Sequence, residues 1–474
     1  MSKAKGTKGI LREYAYIPID LLKDDLDKTK VKLTVIPMAF DKKEPDPIPL
    51  YDLSYQSKGY IGVPYDWGLT NYSHLKWIDK TTKGSKVKVR ARKKIDPNHP
   101  LAPKGQEEFT KKIYETLKSN YTCLAVADTG TGKTVVSLDI ISKFKCRTLI
   151  VVDTLDLANQ WKDRAKTFLG LKDSEVAIVN GKKGENLTAQ ICIGVVQSLS
   201  ANKYTKKFYS SFGMTVFDEV HTMAASTFSK LFGLLRSTYN LGVTATPDRL
   251  DGSEIVYYNW LGKAAVTSKA KCLPVHVYRV EYTSRPLYGN NKAIMLNQIA
   301  KDQKRNRLIR DIILQEYNND KEWGKDQSCI IVLSDRISQL KDLKELCEAM
   351  GVDPKDTCMY VGSYEENGKK ITLDIVKRKK MRDTKRIFFA TFKLAEKGMD
   401  IPRLNVGIDA TPRSQAKQAL GRTSRIYKEK KYSKWYTIDD IHVPKFRSNY
   451  YSRLKDYSKL GAKIKNYVPR VSKK

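Results

Sequence analysis

The segment AVADTGTGKT, Ala125–Thr134, begins inside the apolar run YTCLAV and is followed by VVSLDIISKF. Two glycines, a lysine and a threonine in so short a stretch do not suit a core strand, because glycine weakens strands and lysine is rarely buried. A short apolar run before it and an amphipathic pattern after it predict a strand, a tight loop and a helix. We therefore expect this loop to bind a ligand at the start of a helix.

These residues fit the phosphate-binding P-loop, A-x-x-x-x-G-K-T, with Ala127 in place of the first glycine. Glycines in the loop let backbone N–H groups point at phosphate oxygens, and the helix N-terminus adds its dipole. We expect Lys133 to contact the β- and γ-phosphates and the Thr134 hydroxyl to bind Mg²⁺. A small-residue turn in an unrelated protein is the weaker alternative in this context. The predicted nucleotide contacts of the loop are Thr129, Gly130, Thr131, Gly132, Lys133 and Thr134.

A second acidic element supports this interpretation. The apolar run MTVF ends in Asp218, Glu219, Val220 and His221. At the end of a buried strand, Asp218 can bind the Mg²⁺ and Glu219 can orient and deprotonate a water for attack on the γ-phosphate. Two adjacent carboxylates would otherwise be an ordinary surface turn, but together with a P-loop they predict a nucleotide hydrolase that uses ATP and Mg²⁺.

The charge of the chain is unusual. Its 474 residues include 87 Lys and Arg against 52 Asp and Glu, which gives a net charge of +35. Such a balance favours a polyanionic partner, with nucleic acid as the first choice and an anionic membrane surface as the alternative. No basic amphipathic helix supports the membrane alternative.

Targeting and cysteine patterns point to the cytoplasm, which would be that of the host if the protein is viral. No apolar run approaches the roughly 20 residues that span a bilayer, and the N-terminus MSKAKGTKGILREY lacks an apolar signal region. The seven cysteines never form a CxxC pair, so we expect neither zinc nor disulfides and predict small core residues. They are Cys123, Cys146, Cys192, Cys272, Cys329, Cys347 and Cys358.

Pattern changes along the chain predict three domains. Residues 1–98 contain turn formers and two predicted strands, VKLTVIPMAF and KVKVRARK, and are expected to form a β-rich accessory domain that binds DNA. Residues 99–268 and 269–474 each alternate short apolar runs with amphipathic helices. This alternation predicts two tandem RecA-like α/β domains with doubly wound parallel sheets.

The order of the motifs in the first α/β domain resembles the superfamily 2 helicases and translocases. LAPKGQEEF is similar to that family's Q-motif, which implies that Gln106 contacts the adenine edge. VVDTLDLANQW and GVTATP are similar to elements that contact nucleic acid or couple its binding to hydrolysis, and VVQSL is similar to a strand that contacts the nucleic-acid backbone. The resemblance therefore implies nucleic-acid or coupling roles for Gln160, Gln197, Ser198, His221, Thr244 and Thr246.

The second α/β domain continues the resemblance. ATFKLAEKGMDIP is similar to motif V and implies coupling roles for Thr391 and Gly398, with Asp400 at the nucleotide. QALGRTSR matches the Q-x-x-G-R-x-x-R pattern of motif VI. By the same resemblance Gln418, Arg422 and Arg425 close onto the nucleotide held by the first domain, where a planar guanidinium suits the charge of a transferring phosphoryl group.

The sequences DEVH and TATP resemble the XPB-like branch of superfamily 2, including phage branch-migration helicases. This resemblance implies an ATP-dependent DNA helicase that moves 3′→5′ and remodels branched or forked DNA as a monomer, with replication and recombination proteins as candidate partners. The alternatives are an RNA helicase on the same motor and a duplex DNA translocase that does not separate strands. A passive nucleic-acid-binding protein would be expected to lack Lys133, Glu219 or Arg425, and all three are present.

Two N-terminal features are candidates for DNA contact. The aromatic residues Tyr60, Tyr65, Trp67 and Tyr72 could stack on unpaired bases, although packing of a small β module explains them equally well. In KGSKVKVRARKK, residues 83–94, basic residues alternate with apolar ones. This pattern fits contact with a duplex backbone and equally fits an edge strand whose lysines prevent aggregation.

Overall fold

The computed structural model describes sixteen stretches of the chain, which divides into two compact units, Met1–Ala270 and Lys271–Lys474. The predicted division into three domains at residues 98 and 268 stays a prediction. The described residues are 8–22, 25–37, 51–95, 105–128, 131–181, 184–223, 225–249, 251–268, 273–289, 291–324, 328–366, 369–373, 375–397, 401–414, 417–427 and 430–468.

The first unit begins with a small module of strands and two helices. Five of its strands form a sheet in the order β5-β6-β2-β1-β7. In this sheet β1 and β7 are parallel, and the other neighbouring strands are antiparallel. Strands β3 and β4 form a separate antiparallel pair. Its apolar side chains share one core with Phe232 and Trp260 of the following α/β domain. The elements are β1 (Lys8–Leu11), β2 (Ala15–Pro18), α1 (Leu26–Leu33), β3 (Thr34–Val35), β4 (Tyr51–Asp52), β5 (Tyr55–Ser57), β6 (Tyr60–Val63), α2 (Tyr65–Asn71) and β7 (Lys76–Asp79).

A parallel α/β domain completes the first unit. Its described strands form one parallel sheet in the order β10-β11-β9-β12-β13-β8-β14. The elements are α3 (Gly105–Asn120), β8 (Thr122–Ala127), α4 (Lys133–Phe144), β9 (Thr148–Val152), α5 (Leu155–Leu169), β10 (Val176–Val179), β11 (Ile191–Val195), α6 (Val196–Ser200), α7 (Lys206–Tyr209), β12 (Met214–Asp218), α8 (Ala225–Phe232), β13 (Tyr239–Thr244), α9 (Glu254–Leu261) and β14 (Ala264–Ser268).

The second unit repeats this architecture with its own parallel sheet, whose described strands lie in the order β17-β20-β16-β21-β22-β15-β23, beside the hairpin β18-β19. The elements are β15 (Val275–Tyr282), α10 (Lys292–Ala300), α11 (Gln303–Tyr317), α12 (Asp320–Trp323), β16 (Ile330–Leu333), α13 (Ile337–Glu348), β17 (Thr357–Tyr360), β18 (Ser363–Glu366), β19 (Lys369–Thr372), α14 (Ile375–Thr384), β20 (Ile387–Ala390), α15 (Phe392–Lys397), β21 (Val406–Asp409), α16 (Lys417–Thr423), β22 (Ser433–Asp440), α17 (Pro444–Lys459) and β23 (Lys463–Asn466).

The predicted fold class, two RecA-like parallel sheets after a small β-rich region, is confirmed. Strands such as β9 are continuous apolar runs and every residue of β9 is buried, because helices cover both faces of each sheet. The carboxyl ends of β9, β12, β13 and β8 therefore lie side by side, at the edge where open α/β sheets bind their ligands.

Of the two strands predicted in the N-terminal hundred residues, the first forms only in part and the second does not form. In VKLTVIPMAF the helix α1 continues through Leu33, because Thr29 and Leu33 share its buried face, and only Thr34–Val35 of the described residues pair as a strand. The segment KVKVRARK forms no strand, since it makes a single bridge from Lys86 to Cys146 and bends at Arg92 and Lys93. Its alternating burial comes from packing against the α/β domain rather than from a sheet.

The aromatic and cysteine side chains that the sequence analysis singled out pack in or against the hydrophobic cores. Tyr65 is 2% exposed, and Trp67 and Tyr72 pack half-buried against the same core, which favours the packing alternative for that stretch. Six cysteines are buried, as predicted, and form no disulfide among the described residues, while Cys272 lies outside them. Helices in the described part of the chain are all too short or too polar to cross a bilayer.

A buried ion pair fixes α11 to the sheet of the second unit. Arg305 and Asp440 are fully buried, and the guanidinium donates to both carboxylate oxygens at 2.9 and 3.1 Å. Arg305 also donates to the Ala410 carbonyl, and the Ser284 hydroxyl donates to Asp440 at 2.9 Å. Removal of either partner would leave the other charge buried without compensation.

Arg305→Met is expected to destabilise the second unit by about 3–5 kcal/mol, because the Asp440 carboxylate loses its counter-charge in a buried site. Arg310→Met is the matched control, since its partner Asp311 is largely exposed and such pairs contribute about 0–1 kcal/mol. Differential scanning calorimetry measures both shifts. Equal shifts in the two variants would contradict a structural role for the buried pair.

Candidate active site

The predicted catalytic residues of the first unit converge at the carboxyl edge of its sheet. Lys133, the first residue of α4, donates to the Ala127 carbonyl at 3.0 Å, so its side chain folds back over the loop that follows β8. The Lys133 ammonium lies 3.1 Å from the Glu219 carboxylate. An interaction across this edge thus joins the P-loop to the acidic sequence after β12.

Glycine at position 132 is required by both backbone and packing. Gly132 caps α4 with φ +87°, a left-handed conformation that favours glycine, and an added Cβ would lie 2.0 Å from the Gln106 amide nitrogen. That nitrogen donates to the Thr131 carbonyl at 2.8 Å, and the Thr131 hydroxyl donates to the Asp128 carbonyl at 2.7 Å. Buried Gln106 therefore supports the loop, while its predicted contact with adenine stays a prediction.

Two other P-loop residues that we predicted as nucleotide contacts, Thr129 and Gly130, lie outside the described residues. Thr134 is the second residue of α4 and is half-buried, at the helix N-terminus where an anion is favoured.

Asp218 is held by Trp161, a residue of the segment VVDTLDLANQW, for which the resemblance implied contact with nucleic acid and not with the nucleotide site. Its Oδ2 accepts a hydrogen bond of 2.6 Å from the indole N–H of Trp161, which lies on α5 and is 1% exposed. Burial and the neighbouring Glu219 raise the pKa of Asp218 to about 6, while the Trp161 N–H and Lys133 act in the opposite direction. Trp161 therefore orients the carboxylate and favours its charged form.

Glu219 adopts a left-handed backbone conformation, with φ +46°, that non-glycine residues rarely occupy. Such strain is maintained by surrounding structure and is common at functional sites. Its Oε2 accepts from the Ala245 N–H at 3.3 Å and lies 3.5 Å from His221 Nδ1. Burial alone would raise the pKa of Glu219, but Lys133 and His221 outweigh burial and hold that pKa below its usual value.

His221 connects this acidic sequence to the end of the neighbouring strand β13. Its Nδ1 lies 2.7 Å from the Thr244 hydroxyl, which also accepts from the Thr246 N–H at 3.2 Å. Arg249 donates to the His221 carbonyl and is itself paired with Asp251 at 3.0 Å. The predicted coupling residues His221, Thr244 and Thr246 are thus brought together. Arg249, which sequence analysis missed, is marked only by its place after TATP.

The predicted nucleic-acid contacts of this unit lie on the other half of the same edge. Gln160 is on α5, beside Trp161, whereas Gln197 and Ser198 are on α6 and not on a strand as predicted, because β11 ends at Val195. Gln197 donates to the Asp153 carboxylate at 3.2 Å. Their contacts with nucleic acid stay predictions.

The second unit brings parts of the predicted motifs V and VI together. Thr391 follows β20, and Arg422 lies on α16 with Arg425 two residues beyond it. Phe392 and Ala395 of α15 share one core with Leu420 of α16, so these helices position the two motifs. Gly398 and Asp400 lie outside the described residues, as does the side chain of Gln418. The closing role of the arginines stays a prediction.

Comparison with known proteins agrees with this geometry. Residues 101–249 match the family described as the res subunit of type III restriction enzymes. The protein L396 of Acanthamoeba polyphaga mimivirus, named as an ATP-dependent RNA helicase, is 28% identical over 482 aligned residues, which cover 95% of this chain and 86% of that protein. The chain is an ATP-hydrolysing helicase that resembles those of superfamily 2.

Two further proteins are similar to this helicase, one over about a third of the chain and one over most of it. The DNA 3′-5′ translocase XPB2 of Sulfurisphaera tokodaii is 36% identical over 165 residues, which cover 35% of this chain and 36% of that protein. The crystal structure of T4 UvsW aligns over 94% of this chain and 96% of its own, with 14% identity and a TM-score of 0.36.

ATP turnover by the helicase is expected to fall as pH drops through about 6. The pKa of Asp218 is about 6, so below that pH the carboxyl is neutral and binds a divalent cation poorly. The pH profile of kcat/KM measures this, because it reports groups of the free enzyme. His221→Gln is the control, and its profile should still show the fall in kcat/KM near pH 6 if Asp218, and not His221, is the group that titrates. A limb near pH 4 would contradict the assignment.

Trp161→Phe is expected to raise the divalent-cation concentration needed for half-maximal ATPase, titrated as Mg²⁺, about tenfold or more, and to shift the fall in activity at acidic pH to higher pH. The ring is retained but the N–H that holds Asp218 is removed, and such supporting partners typically contribute 10–100-fold in metal affinity. Trp260→Phe is the control, since its buried N–H has no hydrogen-bond partner among the described residues. The same Mg²⁺ titration is carried out on both variants. Equal curves would exclude a role of Trp161 in positioning Asp218.

Proposed function

We propose that this helicase moves along DNA and remodels branched or forked DNA, with Mg²⁺ as the cofactor of ATP hydrolysis. The observation that carries the proposal is the continuous set of contacts from Lys133 through Glu219 and His221 to Thr244. It joins the predicted phosphate contact to the predicted coupling element, as a motor requires.

The donor chemistry fits Mg²⁺. Thr134 offers a hydroxyl and Asp218 a carboxylate, both hard oxygen ligands, and Mg²⁺ typically binds one or two protein ligands together with substrate phosphates and waters. Held there, Mg²⁺ would neutralise charge on the β- and γ-phosphates. Trp161 and the P-loop backbone would keep both ligands in place.

The chain's own residues supply the remaining steps. Lys133 and Glu219 neutralise each other in this structure, and a bound γ-phosphate would compete for Lys133 and release Glu219 toward a water molecule. Glu219 is ionised near neutral pH because its pKa is lowered, so it can accept the proton of that water. Its contacts with Ala245 and His221 give the sequence GVTATP a direct connection to the catalytic carboxylate.

DNA is favoured over RNA by the similarity of the motor to XPB2, which is named a DNA translocase. The net charge of +35 suits either polymer. RNA is the second candidate, because L396 is similar along nearly the whole chain and is named an RNA helicase. Branch remodelling, a monomeric motor and work alongside replication or recombination proteins extend the resemblance noted in the sequence, and location in the cytoplasm stays a prediction.

The ATPase rate with no nucleic acid, single-stranded DNA, linear duplex, a four-way junction and RNA tests the proposal. We expect the junction to stimulate most, and Lys133→Ala to lower the stimulated rate about 10²–10³-fold, as for removal of one transition-state charge contact. A gel assay of junction migration with ATP then tests remodelling itself. Stronger stimulation by RNA, or equal slow turnover in every reaction, would overturn the DNA-remodelling role.

A further inference from the structure

Residues 82–95, which we call the basic strap, cross the first unit outside its sheets, without helix or strand and with a bend at Arg92 and Lys93. Val89 is 2% exposed, and Val87, Ala91 and Ile95 pack against the same core of the α/β domain. The cationic side chains between them are all exposed, and that of Arg92 lies against Gly170. They are Lys83, Lys86, Lys88, Arg90, Arg92, Lys93 and Lys94.

The strap lies along the edge where the strands of the α/β domain begin. The Thr82 N–H donates to the Arg236 carbonyl at 2.6 Å, the Arg147 N–H to the Ser85 carbonyl at 2.9 Å, and the Arg92 N–H to the Phe168 carbonyl at 2.9 Å. Arg236 and Arg147 come just before β13 and β9. The residues predicted to bind the nucleotide follow the opposite ends of these strands. A strand of five residues, at about 3.3 Å per residue, separates the two edges by about 17 Å.

The strap is fixed in place by backbone contact. Gly84 has φ +66°, and a Cβ atom added to it would lie 2.4 Å from the Gly213 nitrogen. A Cβ on Gly213 would lie 2.0 Å from the Lys83 carbonyl oxygen. The two backbones thus pass each other without room for side chains, and the row of cations is presented from a defined position.

The positive charge of the basic strap has no acidic partner among the described residues. Residues 80–95 contain no Asp or Glu, and no ion pair is formed by the strap cations among the described residues. Protection of an edge strand does not explain these cations, because the segment forms no strand. A row of exposed like charges costs self-repulsion and is expected to bind an anionic partner.

We propose that the basic strap binds the phosphate backbone of double-stranded nucleic acid, on the side of the domain opposite the ATPase site. Alternate residues of an extended chain are about 6.6 Å apart, so several cations can contact successive phosphates. Residues 80–95 contain no aromatic side chain for stacking on unpaired bases, which favours a duplex over a single strand. The apolar residues face inward, so none is left to insert into a membrane.

This inference rests on the proposed function and deepens it. A second contact, at the edge opposite the motor residues, would hold one duplex arm of the substrate while the motor acts on another. Binding through phosphates alone implies little dependence on sequence and strong dependence on salt.

The test compares two variants in which the same number of charges is removed. The strap variant carries Lys86→Gln, Lys88→Gln, Arg90→Gln and Lys93→Gln. The control carries Lys321→Gln, Lys355→Gln, Lys459→Gln and Lys463→Gln, at exposed lysines of the second unit. Fluorescence anisotropy with a labelled 30-base-pair duplex, without nucleotide and at several NaCl concentrations, gives the slope of log affinity against log salt.

We expect the strap variant to lower the magnitude of this slope by about one for each phosphate-binding cation that is removed, and by two or more in total, relative to the control. Its ATPase rate without nucleic acid and its melting temperature should equal those of the control. Restoring charge as Lys86→Arg, Lys88→Arg and Lys93→Arg, with Arg90 retained, should restore the wild-type slope.

Equal slopes in the strap variant and the control would overturn the proposal. The strap variant can also be tested for binding to poly-glutamate and to vesicles rich in phosphatidylserine. If its substitutions weakened binding only to poly-glutamate, or only to the vesicles, the partner would be an acidic protein or a membrane, and the proposal would be overturned. Stimulation of the wild-type ATPase by RNA alone would defeat the proposed DNA function, whereas the duplex-binding slope still decides on the strap.

Discussion

The ion pair between Lys133 and Glu219 is the interaction on which the arrangement of the site depends. It joins the loop after β8 to the residue after β12, although β13 lies between these strands in the sheet. Glu219 reaches Lys133 from a left-handed backbone conformation that costs about 1–3 kcal/mol and that the surrounding contacts maintain. Each charge satisfies the other in a partly buried site, so the predicted contact of Lys133 with a nucleotide would require the phosphate to replace Glu219 as its partner.

Much of the fold was predictable because parallel strands buried on both faces leave continuous apolar runs. Runs such as TLIVV and MTVFD required no knowledge of their neighbours to be identified as strands. The P-loop and the acidic pair were predictable for a similar reason, since each is a contiguous sequence with its own chemistry. Their spatial proximity followed from the class of fold.

Features that depend on strand order or on packing were not predictable. Trp161 and Asp218 are 57 residues apart and meet because β9 and β12 are neighbours, which no local pattern indicates. The strap shows the same limit, since its period of two correctly indicated an extended chain with one buried face but not what buries it. A sheet partner was inferred, whereas the real partner is the edge of a domain encoded downstream.

The sheet of the first α/β domain links the strap to the predicted catalytic residues. The strap contacts the residues that precede β9, β12 and β13, and the opposite ends of these strands carry the start of α5, the acidic pair and Thr244. Buried parallel strands are close-packed and change length little, so they do not absorb a load applied at one edge. A duplex held by the strap would therefore be fixed relative to Asp218 and Glu219, which is what a motor needs from a second point of attachment.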